Sequence, residues 1–274
     1  MTGPAVRDFV LCYLTLPHLL PPAFISVASD AGYQGVSLRL IPVRGEPELP
    51  MFGTSRLLTE TIERLDATGI YVNDIEVLQL TAGVDMSALE RVLETSARLR
   101  ARNLIVIVAD TDEGRVADNL ARVAEFSAPY GLRTCLECIV YTGVKTLAQG
   151  LRIIERTGDD TIGFVIDPLH IDRAGDGIAD VQHLPAEKIA CVQLSDAGPR
   201  PDSRDMKAII RESVADRLVP GTGTLPLRQL MAALPGNVPV ALEVPVKGFA
   251  GVKPDLDVAR IMRNAALDIL SQKL

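Results

Sequence analysis

Eight short runs of aliphatic and β-branched residues alternate with amphipathic stretches from one end of the chain to the other. No other feature restricts the possible folds as much. The runs are FVLCYLTL (9–16), GVSLRLI (35–41), YVNDIEVL (71–78), NLIVIVA (103–109), LRTCLEC (132–138), TIGFVID (161–167), IACVQLS (189–195) and PVALEV (239–244). Between them, apolar positions recur at helical spacing over 22–30, 55–68, 86–101, 113–130, 145–157, 178–184, 225–234 and 255–272. Asp85 and Ser87 suit the start of the third helix, and Gly69, Gly131 and Gly158 follow the ends of others. Strands that are apolar on both faces belong in a parallel sheet covered by helices. Eight such βα units, with no linker-like or low-complexity tract, predict one α/β domain over 1–274, a (β/α)8 barrel. The stretch 195–224 departs from the pattern: it is polar, punctuated by Pro and Gly, and expected to be a long functional loop.

Composition narrows the partners. Hydrophobic residues make up 47% of the 274 positions, enough for a full core. A net charge of −7 without a long basic run counts against nucleic acid and anionic membranes. The longest apolar runs, such as 104–109, are too short to span a bilayer. The opening MTGPAVRD lacks the layout of a signal peptide. These features predict a cytoplasmic protein whose cysteines, Cys12, Cys135, Cys138 and Cys191, are reduced and buried. Cys135 and Cys138 form a C-x-x-C, but an odd offset along a strand sends the two thiols to opposite faces. That geometry argues against a redox or zinc pair.

In a barrel of this kind, chemistry gathers where the strands end at the C-terminal face. The polar residues at those ends are Glu76 on the third strand, Glu137 on the fifth, Asp167 on the sixth, Gln193 on the seventh and Glu243 on the eighth. The last four come from consecutive strands and are expected to point at one centre. Three buried carboxylates without a counter-charge would repel one another and lose their hydration. A divalent cation resolves the conflict. Three carboxylates and an amide carbonyl form an all-oxygen set, which favours Mg2+ or Mn2+, with Co2+ or Zn2+ also possible. Glu76 has the further option of an ion pair at the rim.

The stretches FVIDPLHIDRAG, CVQLSDAG, DRLVPGTGTLPL and ALEVP, in that order, resemble the xylose isomerase-like TIM barrel superfamily. ISVASDAGYQGVSLR and LECIVYTG fit it as well, so the resemblance covers essentially the whole chain. It implies a metal held by Glu137, Asp167, Gln193 and Glu243, with glutamine where most of the family carries histidine. It places His170, three residues after the aspartate, beside the substrate as a proton shuttle. Arg217, with Pro220 and Gly221, matches an R-x-x-PG element and is expected to bind a substrate hydroxyl or carboxylate; the alternative is a salt bridge with Glu212 or Asp216. Many relatives continue Gly-Glu-Gly where this chain has Gly221-Thr222-Gly223. That turn either cradles a phosphate or is a simple glycine turn. His18 and Arg39 end the first two strands and, with Glu76, are rim candidates for substrate binding. Lys247 is a weaker one.

The resemblance includes sugar epimerases, inositol-catabolic isomerases, dehydroshikimate dehydratases and endonuclease IV. A three-zinc nuclease centre needs many histidines, and this chain has only His18, His170 and His183. Xylose isomerase itself is larger and has a lysine-bearing second metal site with no counterpart here. The first expectation is therefore an isomerase or epimerase of a ketose or small polyhydroxy ketone. Its metal would chelate adjacent carbonyl and hydroxyl oxygens, while Glu137 and Glu243 remove and return the proton through an enediolate. A lyase of the 3-dehydroshikimate dehydratase type shares the enolate, and a non-catalytic sugar- or metal-binding barrel is the third reading. The oligomeric state is not readable from the sequence; the resemblance allows a homo-oligomer, because barrel helices in that family often form dimers or tetramers.

Overall fold

The computed structural model describes residues 7–43, 45–201, 205–249 and 251–271; most of the opening MTGPAVRD and Gln272, both read above, lie outside them. Strand β1 (Phe9–Leu11) is followed by α1 (Pro21–Asp30), β2 (Gly35–Arg39), α2 (Arg56–Thr68), β3 (Tyr71–Leu80), α3 (Met86–Arg98), β4 (Asn103–Val108) and α4 (Glu113–Ser127). The second half runs β5 (Arg133–Glu137), α5 (Leu147–Thr157), β6 (Gly163–Ile166), α6 (Pro168–Ala174), α7 (Ile178–Gln182), β7 (Ile189–Leu194), α8 (Met206–Ala215), α9 (Leu227–Ala233), β8 (Val240–Leu242) and α10 (Asp255–Ser271). All neighbouring strands are parallel, and β8 closes on β1 through Phe9 to Val240, Val10 to Ala241 and Leu11 to Leu242. The chain is a single TIM-barrel domain, as the alternation predicts. Among the described residues, no helix is long and apolar enough to cross a membrane.

Local chemistry explains where the elements begin and end. Asp85 caps α3 by accepting from the Ser87 and Ala88 amides at 3.0 and 3.1 Å. Gly69 and Gly158 end α2 and α5 in the left-handed region, at φ 72° and 69°. The first strand is shorter than the apolar run 9–16. After Leu11 the chain turns, and Thr15 Oγ1 donates to the Leu242 carbonyl at 2.8 Å and accepts from the Val244 amide at 2.9 Å. A polar side chain, invisible to hydrophobic periodicity, thus ties the turn to β8.

Two helices add to the expected pattern: α6 precedes the helix expected over 178–184, and α8 lies in a stretch expected to be a loop. Asp167 accepts from the Leu169 and His170 amides, and Pro168 takes the first helical position, so α6 starts immediately after β6. Helix α8 lies within 195–224 and is capped by Asp205. It docks on α6 through Arg173, whose guanidinium grips Glu212 at 2.7 and 2.9 Å.

Inside the barrel, Val77, Ile105, Cys135, Val165 and Cys191 pack as one apolar cluster. Cys138 belongs instead to the larger core between strands and helices. The C-x-x-C thiols therefore face opposite ways, and all four cysteines are free and buried. Strand period two does the rest. Two residues beyond Cys135, Val165, Cys191 and Ala241 stand Glu137, Asp167, Gln193 and Glu243, at the C-terminal mouth.

Candidate active site and metal centre

A cavity of about 440 Å3 opens at that mouth, bordered by Glu137, His170, Gln193, Arg217 and Glu243 on one side and by Arg39 and Glu76 on another. Arg39 and Glu76 are register partners on β2 and β3, and their side chains pair at 3.2 Å. Glu46 approaches the same guanidinium at 3.8 Å.

Arg217 is among the largest fully buried side chains. It bridges Asp167 at 2.7 Å and Glu243 at 2.9 Å, while its Nε donates to the Ser213 carbonyl at 2.7 Å. The alternative partners expected for it are engaged elsewhere: Glu212 with Arg173 and Asp216 with Arg211. The premise of three converging carboxylates without a counter-charge is corrected by this geometry. Arg217 compensates two of them, and Arg39 compensates Glu76. Carboxyl groups still outnumber guanidinium groups: among the described residues, Glu46, Glu76, Glu137, Asp167 and Glu243 stand against Arg39 and Arg217.

The electrostatics follow burial first and neighbours second. Burial pushes Glu137 well above the usual carboxylate range, and the charges of Glu243 and Asp167 push it further. Glu243 and Glu76 are each raised by burial to about 7, with Arg217 and Arg39 respectively opposing. Burial also disfavours the charged form of Asp167, but Arg217 and His170 outweigh it and hold the carboxyl below its ordinary value. His170, buried and beside Arg217, is lowered to about 4 despite Asp167, so its imidazole is neutral. Its Nε2 lies 3.8 Å from Glu137 Oε1.

These residues fit a divalent cation. Gln193 Oε1 is buried and has no hydrogen-bond partner among the described residues, which leaves a carbonyl lone pair for a metal. Donor atoms of Glu137, Asp167 and His170 all lie within 4.8 Å of one another. Two of these three are in the set Glu137, Asp167, Gln193 and Glu243 expected from the sequence; His170 brings an imidazole nitrogen into the same space.

Other candidates stand apart. His18 pairs with Asp255 at 3.0 Å, with its side chain 46% exposed, in a groove next to the cavity. Lys247 is exposed. The Gly221-Thr222-Gly223 turn holds an anion, but an internal one: Asp196 Oδ2 accepts from the Gly221 and Gly223 amides, each at 2.9 Å. That carboxylate takes the place of the phosphate considered above. Sequence reasoning missed Asp74, Tyr141 and Ser213. Asp74, below Glu76 on β3, was within reach of period-two counting. Ser213 sits on the unexpected α8, and Tyr141 lies in the segment after β5, where no periodicity points.

The family model for the xylose isomerase-like TIM barrel matches residues 25–263. An inosose isomerase of Halalkalibacterium halodurans is 26% identical over 152 residues, 52% of this chain and 51% of that protein. A 3-dehydroshikimate dehydratase of Pseudomonas aeruginosa is 31% identical over 141 residues, 49% of this chain but 21% of that protein. The chain thus matches about half the length of the first relative and about a fifth of the second. The fold is also that of the solved IolI protein with a bound zinc atom, at a TM-score of 0.80 and 16% identity, covering 96% of this chain and 98% of the other. The chain belongs to the xylose isomerase-like TIM barrel family.

Proposed function

We propose that the chain is a divalent-metal-dependent isomerase or epimerase of a neutral hydroxyketone. The observation that carries this reading is the charge balance of the cavity. Carboxylates outnumber cations, no lysine borders the cavity among the described residues, and both arginines are already paired with carboxylates. Apart from the ion itself, a substrate carboxylate or phosphate would find among the described residues no guanidinium that is not already paired with a carboxylate, whereas hydroxyl and carbonyl oxygens meet donors and acceptors on several sides.

Glu137, Asp167, Gln193 and Glu243 would hold the metal, with His170 beside them. Their oxygen-rich chemistry favours Mg2+ or Mn2+, and the adjacent imidazole keeps Co2+ and Zn2+ among the ions to test. When bound, the ion supplies Lewis acidity toward adjacent carbonyl and hydroxyl oxygens. Glu137 and Glu243 approach the cavity from different strands; one takes the proton from the hydroxyl-bearing carbon next to the carbonyl and the other returns it. Arg217 holds Glu243 and Asp167 in place. Arg39 and Glu76 form a fixed polar pair at the rim that accepts and donates hydrogen bonds to substrate hydroxyls. Similarity to an inosose isomerase supports this class, because an inosose is an uncharged polyhydroxy ketone.

Similarity to a 3-dehydroshikimate dehydratase favours a second reading, a lyase in which His170 assists departure of the β-hydroxyl. Solvent-deuterium incorporation separates the two. Ketoses, inososes and 3-dehydroshikimate are incubated in deuterated buffer with Mg2+, Mn2+, Co2+ or Zn2+. Exchange into a recovered neutral ketone is the expected result. An ultraviolet-absorbing dehydrated product, with kcat collapsing roughly a hundredfold in His170→Asn, would establish the lyase instead.

A further inference from the structure

Three side chains that border the cavity are joined in sequence. Tyr141 Oη lies 3.0 Å from Ser213 Oγ, and Ser213 Oγ lies 3.3 Å from His170 Nε2. The tyrosine ring packs edge-on against the imidazole, with centroids 5.6 Å apart. They come from the segment after β5, from α8 and from α6, so only the closed fold assembles them. Ser213 is itself held, because its carbonyl accepts from Arg217 Nε.

The direction of this chain of hydrogen bonds can be deduced. His170 Nδ1 is buried and has no hydrogen-bond partner among the described residues. A buried N–H without an acceptor costs more than an unused lone pair, so the neutral ring carries its proton on Nε2. From Nε2, Glu137 Oε1 at 3.8 Å is beyond hydrogen-bonding distance, which leaves Ser213 Oγ as the acceptor. Tyr141 Oη is then the one acceptor left within reach of the buried Ser213 hydroxyl among the described residues, and we assign the Ser213 proton to it. Among the described residues the phenolic O–H of Tyr141 then has no acceptor, and Tyr141 borders the cavity. Burial, only partly offset by the Ser213 contact, raises this phenol to about 12, so it keeps its proton near neutrality.

We infer that Tyr141 is a further catalytic residue, whose O–H donates to a substrate oxygen as negative charge develops there, and that Ser213 and His170 are positioning residues that fix its orientation. This rests on the hydroxyketone reading above. A donor aimed at a developing oxyanion is worth roughly a hundredfold in rate.

The test has two arms. The first needs no substrate: protein labelled with 15N-histidine is examined by NMR in the presence of Mg2+, with His170→Asn assigning the signals. A bare Nδ1 and protonated Nε2 are expected, with the Nε2–H signal displaced in Ser213→Ala and retained in Ser213→Thr. A proton on Nδ1 would overturn the proposal. The second arm follows solvent-deuterium wash-in to 1,3-dihydroxyacetone. Tyr141→Phe should lower kcat roughly a hundredfold with KM within about twofold, while Ser213→Ala lowers kcat by less and Ser213→Thr recovers part of that loss. Wild-type turnover in Tyr141→Phe would sink the catalytic role. If the wild-type protein catalyses no wash-in to 1,3-dihydroxyacetone or to any ketose or inosose of the panel above, the hydroxyketone reading fails, and the histidine tautomer still decides the hydrogen-bond chain.

Discussion

Arg217 shows how one residue can serve a site without the role its motif suggests. Its guanidinium is a buried strut between Asp167 and Glu243. Removing it leaves two carboxylates unpaired in a low-dielectric setting. Arg217→Met is expected to lower the unfolding free energy of the metal-free protein by about 3–5 kcal/mol, the usual cost of breaking a buried ion pair, as measured by urea denaturation with chelator present. Arg217→Lys should recover only part, since an ammonium cannot form the planar fork. At the proposed metal site, Glu243→Gln withdraws one negative charge and should both abolish deuterium wash-in and weaken Mg2+ binding in calorimetry. Near-normal turnover at saturating metal would rule out that site. Gln193→His should instead preserve the fold and shift preference toward Zn2+ or Co2+, because imidazole is the softer ligand; unchanged selectivity would remove Gln193 from the ligand set.

At the scale of elements, the segment after β7 is organised around one carboxylate. Asp196 accepts from the amides of Ala197, Gly221, Gly223 and Leu225. Its backbone also pairs with Leu218, one residue from Arg217. The segment that presents the arginine is thus tied to the end of its own strand. A Cβ at Gly223 would lie 2.3 Å from the Ala197 carbonyl oxygen and 2.4 Å from Asp196 Oδ1. Neither the backbone nor the fully engaged carboxylate can yield. Gly223→Ala should cost about 2 kcal/mol, read as a lowered Tm. Gly69→Ala, where no atom lies within 4 Å of the added Cβ, meets only the backbone strain of its positive φ and should cost less. Equal losses in the two variants would show that the close approach at Gly223 is not what matters.

Across the whole molecule, several carboxyl groups are buried at the mouth and just beneath it. Asp74 accepts from Ser37 Oγ and Asn73 Nδ2, each at 2.7 Å, yet burial raises it to about 6. Glu76 and Glu243 are raised to about 7. Because these folded-state values exceed the unfolded ones, their contribution to stability is full below about pH 4 and is lost as pH rises through 6 to 7. Asp167 and His170 have the opposite sign: each contributes stability present above its unfolded value and lost as pH falls through its depressed one, about 4 for His170, which offsets only part of the loss from the three raised carboxyls. The metal-free protein should therefore lose unfolding free energy between pH 4.5 and 7.5. Asp74→Asn should flatten that profile by on the order of 2 kcal/mol, the share of one group raised to about 6. Urea denaturation at both pH values, with chelator, measures it. Stability that rises with pH in the wild-type protein would contradict the shifts.

The barrel and the ring of residues at its mouth were legible from local pattern. Eight apolar runs at helical intervals leave few alternatives to a closed parallel sheet, and period two carries Glu137, Asp167, Gln193 and Glu243 to one end of it. Both properties depend on spacing along a single strand or helix, which a linear sequence records directly. What the sequence left open concerns groups far apart in the chain. The carboxylates form pairs with Arg39 and Arg217 because strands and loops bring opposite charges together. The glycine turn closes on Asp196 rather than on a phosphate, and His18 is drawn away by Asp255. Tyr141, Ser213 and His170 meet only after α8 has docked on α6. Hydrophobic periodicity encodes which face a residue occupies. Partnership between polar groups depends on distances of about 3 Å, and only the folded chain sets those.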